Sequence, residues 1–169
     1  QQRIDEQWGD YAESDNEFFT NFLYTPLKGL KYPHEGVSRR DPTKILRIND
    51  IYYVWYTLRK TNDAPVGHIK ATDKIPSRDW DLSDIAYATS NDGITWQEQG
   101  VAVTRTAQKG KYGWRSLCTP DILMWKGKYY LYYQVYNGVP GPEHMATVSV
   151  AVSESPDGPW EKLGKPVLD

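Results

Sequence analysis

The sequence predicts an all-β fold built from repeated four-stranded units, and three observations support that prediction. Segments of high β propensity recur along the chain, they recur in the same order, and an Asp-Gly turn separates two strands within each repeat. A repeated four-stranded unit whose strands are joined by hairpins is typical of a β-propeller blade. The chain has 169 residues, and the pattern accounts for two such blades.

The first predicted element precedes the β pattern and is a short helix over residues 15–24. Ser14 to Glu17 has the S-x-x-E form of a capping box, apolar side chains follow at helical spacing, and Pro26 ends the pattern. Residues 1–37 are therefore predicted to form an N-terminal helical arm and linker. Such an arm either packs on its own chain or reaches another subunit.

The two blades are predicted over residues 38–113 and 114–169, and they align without a gap through their first hairpins. In each blade a long aromatic strand is followed by a strand of small residues, an Asp-Gly turn and a tryptophan that opens the fourth strand. Small residues beside large aromatic ones suit close packing between sheets. The matched segments are Ile45–Thr57 with Ile122–Gln134, and Ile85–Ser90 with Val148–Ser153.

Two blades do not make a closed propeller, which needs roughly four to eight. The uncovered blade faces would exceed the few hundred Å², roughly, of apolar surface that a soluble monomer exposes. We therefore expect the chain to be a piece of a longer polypeptide or one chain of a nicked protein, with the remaining blades absent from it. The alternative is a pair of sandwich-like sheets closed on each other.

Composition excludes several classes of partner. The formal net charge of −2 argues against a nucleic-acid surface, which would need an excess of Lys and Arg. The sequence contains no apolar run long enough to suggest a membrane helix and no signal-peptide pattern at its start. A single cysteine, Cys118, excludes an internal disulfide framework and is expected to be a small buried residue. His34, His68 and His144 lack metal-ligand spacing.

Candidate catalytic groups lie where each blade begins, because the innermost strands of a propeller line its central funnel. Asp41 and Asp121 each stand beside a proline just before an apolar strand, and nearby arginines favour the ionised form that a general base needs. Glycosidic hydrolysis uses two carboxyl groups, which lie roughly 6.5–9.5 Å apart in inverting enzymes. The alternative is that each aspartate only caps a turn.

Five motifs are spread over nearly the whole chain: Phe22–Leu30, His34–Pro42, the aromatic strand through Trp55 and Tyr56, Cys118–Leu123 and Lys126–Gln134. Together they resemble glycoside hydrolase family 117. The resemblance implies a five-bladed propeller whose N-terminal helical extension is exchanged between the subunits of a homodimer. It implies an exo-acting, inverting α-1,3-L-neoagarooligosaccharide hydrolase, which releases 3,6-anhydro-L-galactose from the non-reducing end of agar-derived oligosaccharides. A periplasmic or secreted location is favoured.

The same resemblance assigns roles to individual residues. Asp41 is expected to be the general base, and Asp121 an acid that supports the pocket without donating the proton. Thr119, Gln134 and Trp80 are expected to bind the sugar, and the proton donor is expected in a later blade. No cofactor is required, although the family suggests a divalent cation in the funnel. The alternatives are a non-catalytic carbohydrate-binding propeller, a five-bladed glycosidase of different sugar specificity, and an interaction scaffold.

Overall fold

The computed structural model describes residues 26–30, 36–106 and 108–168. These residues contain nine β-strands in two sheets. In these ranges, no helix has the length and apolar character needed to cross a membrane. The helix predicted over residues 15–24, and with it most of the proposed dimer arm, lies outside the described residues.

Sheet one forms the first blade, and its innermost strand is split into two pieces. Its strands are β1 (Val37–Arg40), β2 (Leu46–Ile48), β3 (Ile51–Lys60), β4 (Ser83–Ser90) and β5 (Trp96–Val103). β1 and β2 both pair with β3, which is followed in the sheet by β4 and β5, and all pairings are antiparallel. The repeat pattern predicts one short first strand, but residues 41–45 interrupt it.

Sheet two forms the second blade and keeps a continuous innermost strand. Its strands are β6 (Ser116–Trp125), β7 (Lys128–Tyr136), β8 (Thr147–Ser153) and β9 (Glu161–Lys162), and they pair in that order. A bulge in β6 between Cys118 and Asp121 lies at the position where the first strand of sheet one is interrupted. The repeat predicts that the fourth strand opens with Trp160, but Trp160 precedes it and the strand has only two residues.

The strand registers reproduce the internal repeat that the sequence predicts. Tyr52 of β3 lies opposite Ser90 of β4, and the matching Tyr129 of β7 lies opposite Ser153 of β8. The long aromatic strand therefore pairs with the small-residue strand at the same position in both blades.

The two blades share one hydrophobic core, and Trp55 at its centre is completely buried. Its ring stacks on Tyr53 and Tyr87, with centroid distances of 5.8 and 6.4 Å, and meets Trp160 edge-on at 6.1 Å. Truncating a buried aromatic residue of this size costs about 3–5 kcal/mol. The innermost strand of the second blade, β6, also packs against β3 and β4 of the first blade.

The segment of residues 26–30 lies along the outer edge of sheet one. The Lys28 N–H donates to the Ile94 carbonyl, and the Lys28 carbonyl accepts from the Trp96 N–H, both at 2.9 Å. Gly29 has a φ of +91°, and a Cβ there would lie 1.8 Å from the Trp96 carbonyl oxygen. Only glycine allows this close approach, which covers part of an otherwise open sheet edge.

Candidate active site at the inner edge of the blades

Two residues with unusual backbone conformations mark equivalent points of the two innermost strands. Asp41 has a φ of 50° and Thr119 a φ of 49°, and each directly precedes a proline. A residue other than glycine in this region stores about 1–3 kcal/mol of strain, and such strain concentrates at functional sites. Asp41 is half-buried, whereas Thr119 is exposed. Both blades therefore present a strained residue at the inner edge.

The structure corrects the predicted equivalence of Asp41 and Asp121. Arg40 lies opposite Thr57 in sheet one, and Cys118 lies opposite Gln134 in sheet two. Thr57 and Gln134 occupy the same position in the repeat, so the residue equivalent to Asp41 is the one after Cys118, which is Thr119. Asp121 follows its proline, whereas Asp41 precedes its own.

A buried hydroxyl connects the two strained positions. Thr57 on β3 is 1% exposed, and its Oγ1 accepts a hydrogen bond from the Thr119 N–H at 2.8 Å. The same hydroxyl donates to Oδ2 of Asp41 at 3.4 Å. Among the described residues, Thr57 is the donor that binds the Asp41 carboxylate. No sequence pattern indicated a role for Thr57.

Cys118 and Gln134 lie next to this group. The Cys118 thiol is 3.9 Å from Oε1 of Gln134, and Cys118 is 1% exposed, as expected for a small buried residue. Burial raises the pKa of the thiol to about 12, and the negative charges of Asp41 and Asp81 act in the same direction. Cys118 is therefore a neutral packing residue rather than a nucleophile.

Asp121 lies on the same inner strand but in a different environment. Its side chain is 70% exposed and lies 3.3 Å from the ammonium group of Lys44. Its Oδ1 also accepts the N–H of Ile122 at 2.8 Å. Asp121 therefore lies within strand β6, with its carboxylate at the surface and paired with Lys44.

The arginines near the two aspartates do not pair with them, contrary to expectation. Arg40 lies 3.7 Å from a carboxylate oxygen of Asp79 instead. Arg39 binds Glu98 at 2.7 Å, because successive side chains of a strand point to opposite faces. No salt bridge to Asp41 occurs in the residues that the structure describes.

Trp80 forms part of a pocket of about 450 Å³. It belongs to the loop between β3 and β4, and its ring packs against Tyr136 with centroids 5.0 Å apart. Arg40 also lines the pocket and directly precedes Asp41 in the chain, but Asp41, Thr119 and Gln134 are not among the lining residues. The lining residues are Arg40, Pro65, Gly67, Ser77, Arg78, Asp79 and Trp80.

A buried ion pair holds the Trp80 loop against the second blade. Asp81 and Arg115 are both fully buried, and the guanidinium binds both carboxylate oxygens, at 2.8 and 2.5 Å. Burial by itself raises the pKa of Asp81, but hydrogen bonds from Arg115 and Ser77 outweigh it and bring the pKa below its ordinary value. No local sequence pattern indicates this pair, because its members are 34 positions apart.

Two of the three histidines, His68 and His144, lie against the same loop. A Cβ at Gly138 would lie 2.5 Å from the His144 ring, and Gly141 faces His68, so both rings pack against one loop. His34 lies outside the described residues. Over residues 26–30, 36–106 and 108–168, no cluster of three or more His, Cys, Asp or Glu side chains is arranged to hold a metal ion.

Known structures resemble this chain over most of its length. Zg3597, a family 117 glycoside hydrolase from the marine bacterium Zobellia galactanivorans, is 52% identical over 83% of this chain, with a TM-score of 0.77. CoXyl43, a family 43 β-xylosidase/α-arabinofuranosidase from a compost metagenome, is 21% identical over 79%, with a TM-score of 0.57. A family 43 enzyme from Xanthomonas citri in complex with xylotriose is 20% identical over 78%, with a TM-score of 0.53. Comparisons with family models and with curated proteins gave no match.

The blades and these likenesses together define the class of protein. The fold is that of the β-propeller glycosidases. The two sheets are therefore propeller blades and not a pair of sandwich-like sheets closed on each other. At 52% identity to Zg3597, the chain belongs to glycoside hydrolase family 117. It spans 42% of the length of Zg3597, 37% of CoXyl43 and 33% of the Xanthomonas citri enzyme.

Proposed function

We propose that the protein containing this chain is a glycosidase in which Asp41 is the general base. One observation carries the proposal: a half-buried carboxylate stands at a strained break in an innermost strand, and a buried hydroxyl joins it to the innermost strand of the second blade. In the described residues this carboxylate forms no ion pair, and Thr57 binds one of its two oxygens. The other oxygen is left to accept a proton from water.

The proposed chemistry is inversion at the anomeric carbon. Asp41 removes a proton from a water molecule as the oxygen of that water attacks the sugar, and a second carboxyl-type group protonates the leaving oxygen. The two groups would be separated by roughly 6.5–9.5 Å to admit the water. The resemblance to family 117 assigns the proton donor to a later blade, so this chain supplies the base side of the reaction.

The substrate proposed is a neoagarooligosaccharide, cleaved from its non-reducing end to release 3,6-anhydro-L-galactose. The exposed Thr119 and the half-exposed Gln134 would bind sugar hydroxyls, and Trp80 would offer an aromatic face at the pocket. Asp121 would support the sugar pocket, because it lies on the same inner strand as Thr119. The family resemblance supports this specificity, and it also supports a homodimer formed through the N-terminal arm.

The family resemblance suggests a divalent cation in the funnel, and its ligands would have to come at least in part from residues other than the described ones. The part of the chain that the structure describes has no cluster of three or more potential ligand side chains, so it does not fit such a site. No step proposed here uses a cation.

Asp41→Asn in the complete protein tests the proposal. Asparagine keeps the size of the side chain but cannot accept the proton, so kcat on neoagarobiose should fall by about 10²–10⁴-fold with little change in KM. Asp73→Asn is the control and should leave kcat near the parent value, because Asp73 is half-exposed, pairs with Lys109 and has no role in the proposed site. Released 3,6-anhydro-L-galactose is the measured product.

The result also separates the alternatives. Binding of neoagarobiose without cleavage by the parent protein would indicate a carbohydrate-binding propeller. Cleavage of another oligosaccharide would indicate a glycosidase of different specificity. Activity of Asp41→Asn within about threefold of the parent would remove Asp41 from the mechanism, since general-base catalysis contributes far more.

A further inference from the structure

We infer that Thr57 is a positioning residue, whose hydroxyl holds the Asp41 carboxylate in place and ties it to the main chain of the second blade. The inference rests on the proposed function, in which Asp41 is the general base. It concerns a residue that lies on a central strand, away from the motifs that identified the site.

The direction of both hydrogen bonds follows from the chemistry of the hydroxyl. The N–H of Thr119 can only donate, so at 2.8 Å the Thr57 oxygen must accept from it. The hydroxyl has one proton, and Oδ2 of Asp41 at 3.4 Å is the acceptor that the structure offers for it. The relay therefore runs from Thr119 through Thr57 to Asp41.

Thr57 is suited to this role because its own position is well determined. It lies within β3, opposite Arg40 of β1 on one side and Ile85 of β4 on the other, and it is 1% exposed. A threonine in a strand has few rotamers, so its hydroxyl is held firmly. A reacting group supported by a rigid neighbour keeps its geometry better than one on a loop.

Asp41 needs such support, since its local backbone does not provide it. It lies in an interruption between β1 and β2, with a φ of 50°, and aspartate side chains readily turn to bond nearby main-chain groups. The hydrogen bond from Thr57 opposes that rotation. It also links the base to Thr119, so the two strained residues are fixed relative to each other.

Kinetics of Thr57→Val and Thr57→Ser in the complete protein test the inference. Valine keeps the shape but removes the hydroxyl, so kcat on neoagarobiose should fall by about 10²-fold with KM nearly unchanged, as for a misplaced catalytic group. Serine keeps the hydroxyl and should restore kcat to near the parent value. The same Thr57→Val change in an Asp41→Asn background should lower kcat little further, because the hydroxyl acts through Asp41.

Thr43→Val is the matched control. The Thr43 hydroxyl is also buried and also joins main-chain groups, accepting from the Trp55 N–H and donating to the Lys44 carbonyl, but it does not bind Asp41. It should lower the melting temperature and leave kcat of the folded protein unchanged. If Thr57→Val does not fold, Thr57→Cys fills the same space with a weaker donor and should show a smaller loss of kcat.

The outcomes distinguish this inference from the function on which it rests. If Asp41→Asn is inactive while Thr57→Val, or Thr57→Cys in its place, keeps the parent kcat, the positioning role is overturned and the glycosidase proposal stands. Failure of serine to restore kcat, or an equal loss of kcat in Thr43→Val, also overturns it. If Asp41→Asn stays active, both ideas fail together.

Discussion

Asp81→Asn is expected to destabilise the complete protein strongly, because it leaves a buried charge without a counter-ion. The Arg115 side chain is 0% exposed and binds both oxygens of Asp81. Asparagine preserves the size and one acceptor oxygen, so the packing around Arg115 should survive. The change removes the negative charge and also turns one acceptor oxygen into a donor that faces other donors, such as Ser77 or Arg115.

The magnitude follows from the burial of both partners. Breaking a buried pair by removing one charge costs about 3–5 kcal/mol. Each kcal/mol shifts the melting temperature by less than about 2 °C in a protein longer than about 250 residues, so we expect a decrease of roughly 4–7 °C. Because the pair anchors the loop that carries Trp80, activity should also decline at temperatures where the protein remains folded.

Differential scanning calorimetry of the parent and two variants provides the measurement. Asp73→Asn is the matched control, because Asp73 and Lys109 form an ion pair of 2.6 Å whose side chains are 51% and 68% exposed. An exposed pair contributes about 0–1 kcal/mol, so this control should melt within a few degrees of the parent. A similarly small effect of Asp81→Asn would refute the reasoning, as it would mean that the guanidinium is solvated.

The difference in unfolding free energy between the parent and Asp81→Asn should change with pH in a direction that the pKa of Asp81 sets. The folded pKa of Asp81 lies below the ordinary value of 3.8, so the carboxylate stabilises the folded state fully at neutral pH. That contribution is lost as the pH falls from 3.8 through the lower folded pKa. The difference in unfolding free energy between parent and Asp81→Asn should therefore be constant above about pH 5 and narrow in acid.

The remaining predictions concern Cys118 and the open face of blade two. With a thiol pKa of about 12, Cys118 should resist iodoacetamide at pH 8 in the folded protein and react after denaturation, so labelling of the native state would contradict its burial. The isolated 169-residue segment should self-associate in analytical ultracentrifugation, because Met124 and Trp125 are 58% and 53% exposed on that blade. A monomer that unfolds in one cooperative transition would argue against this.

Much of the fold was predictable because the repeat is local and periodic. Residues at the same place in each unit have the same size, so Tyr52 and Tyr129 face serines in matching registers. The turn residues that close the hairpins lie between the strands in sequence, and their chemistry can be read without tertiary contacts. The candidate base, Asp41, was likewise indicated by a motif of neighbouring residues.

The features that the sequence did not predict depend on side chains distant in the chain. Thr57 and Thr119 are 62 positions apart, and Asp81 and Arg115 are 34 apart. A charged residue beside an aspartate in sequence need not pair with it, since a strand alternates its faces. Arg40 accordingly pairs with Asp79 instead of Asp41.

The amino-acid sequence by itself determined the blades, their order and the family, because periodicity, turn chemistry and motifs are properties of contiguous residues. The strand pairing in the structure shows that Thr119, and not Asp121, is the counterpart of Asp41. Strand pairing could not be read from the sequence, because one extra residue near a proline shifts every pairing partner without changing the local pattern of residues.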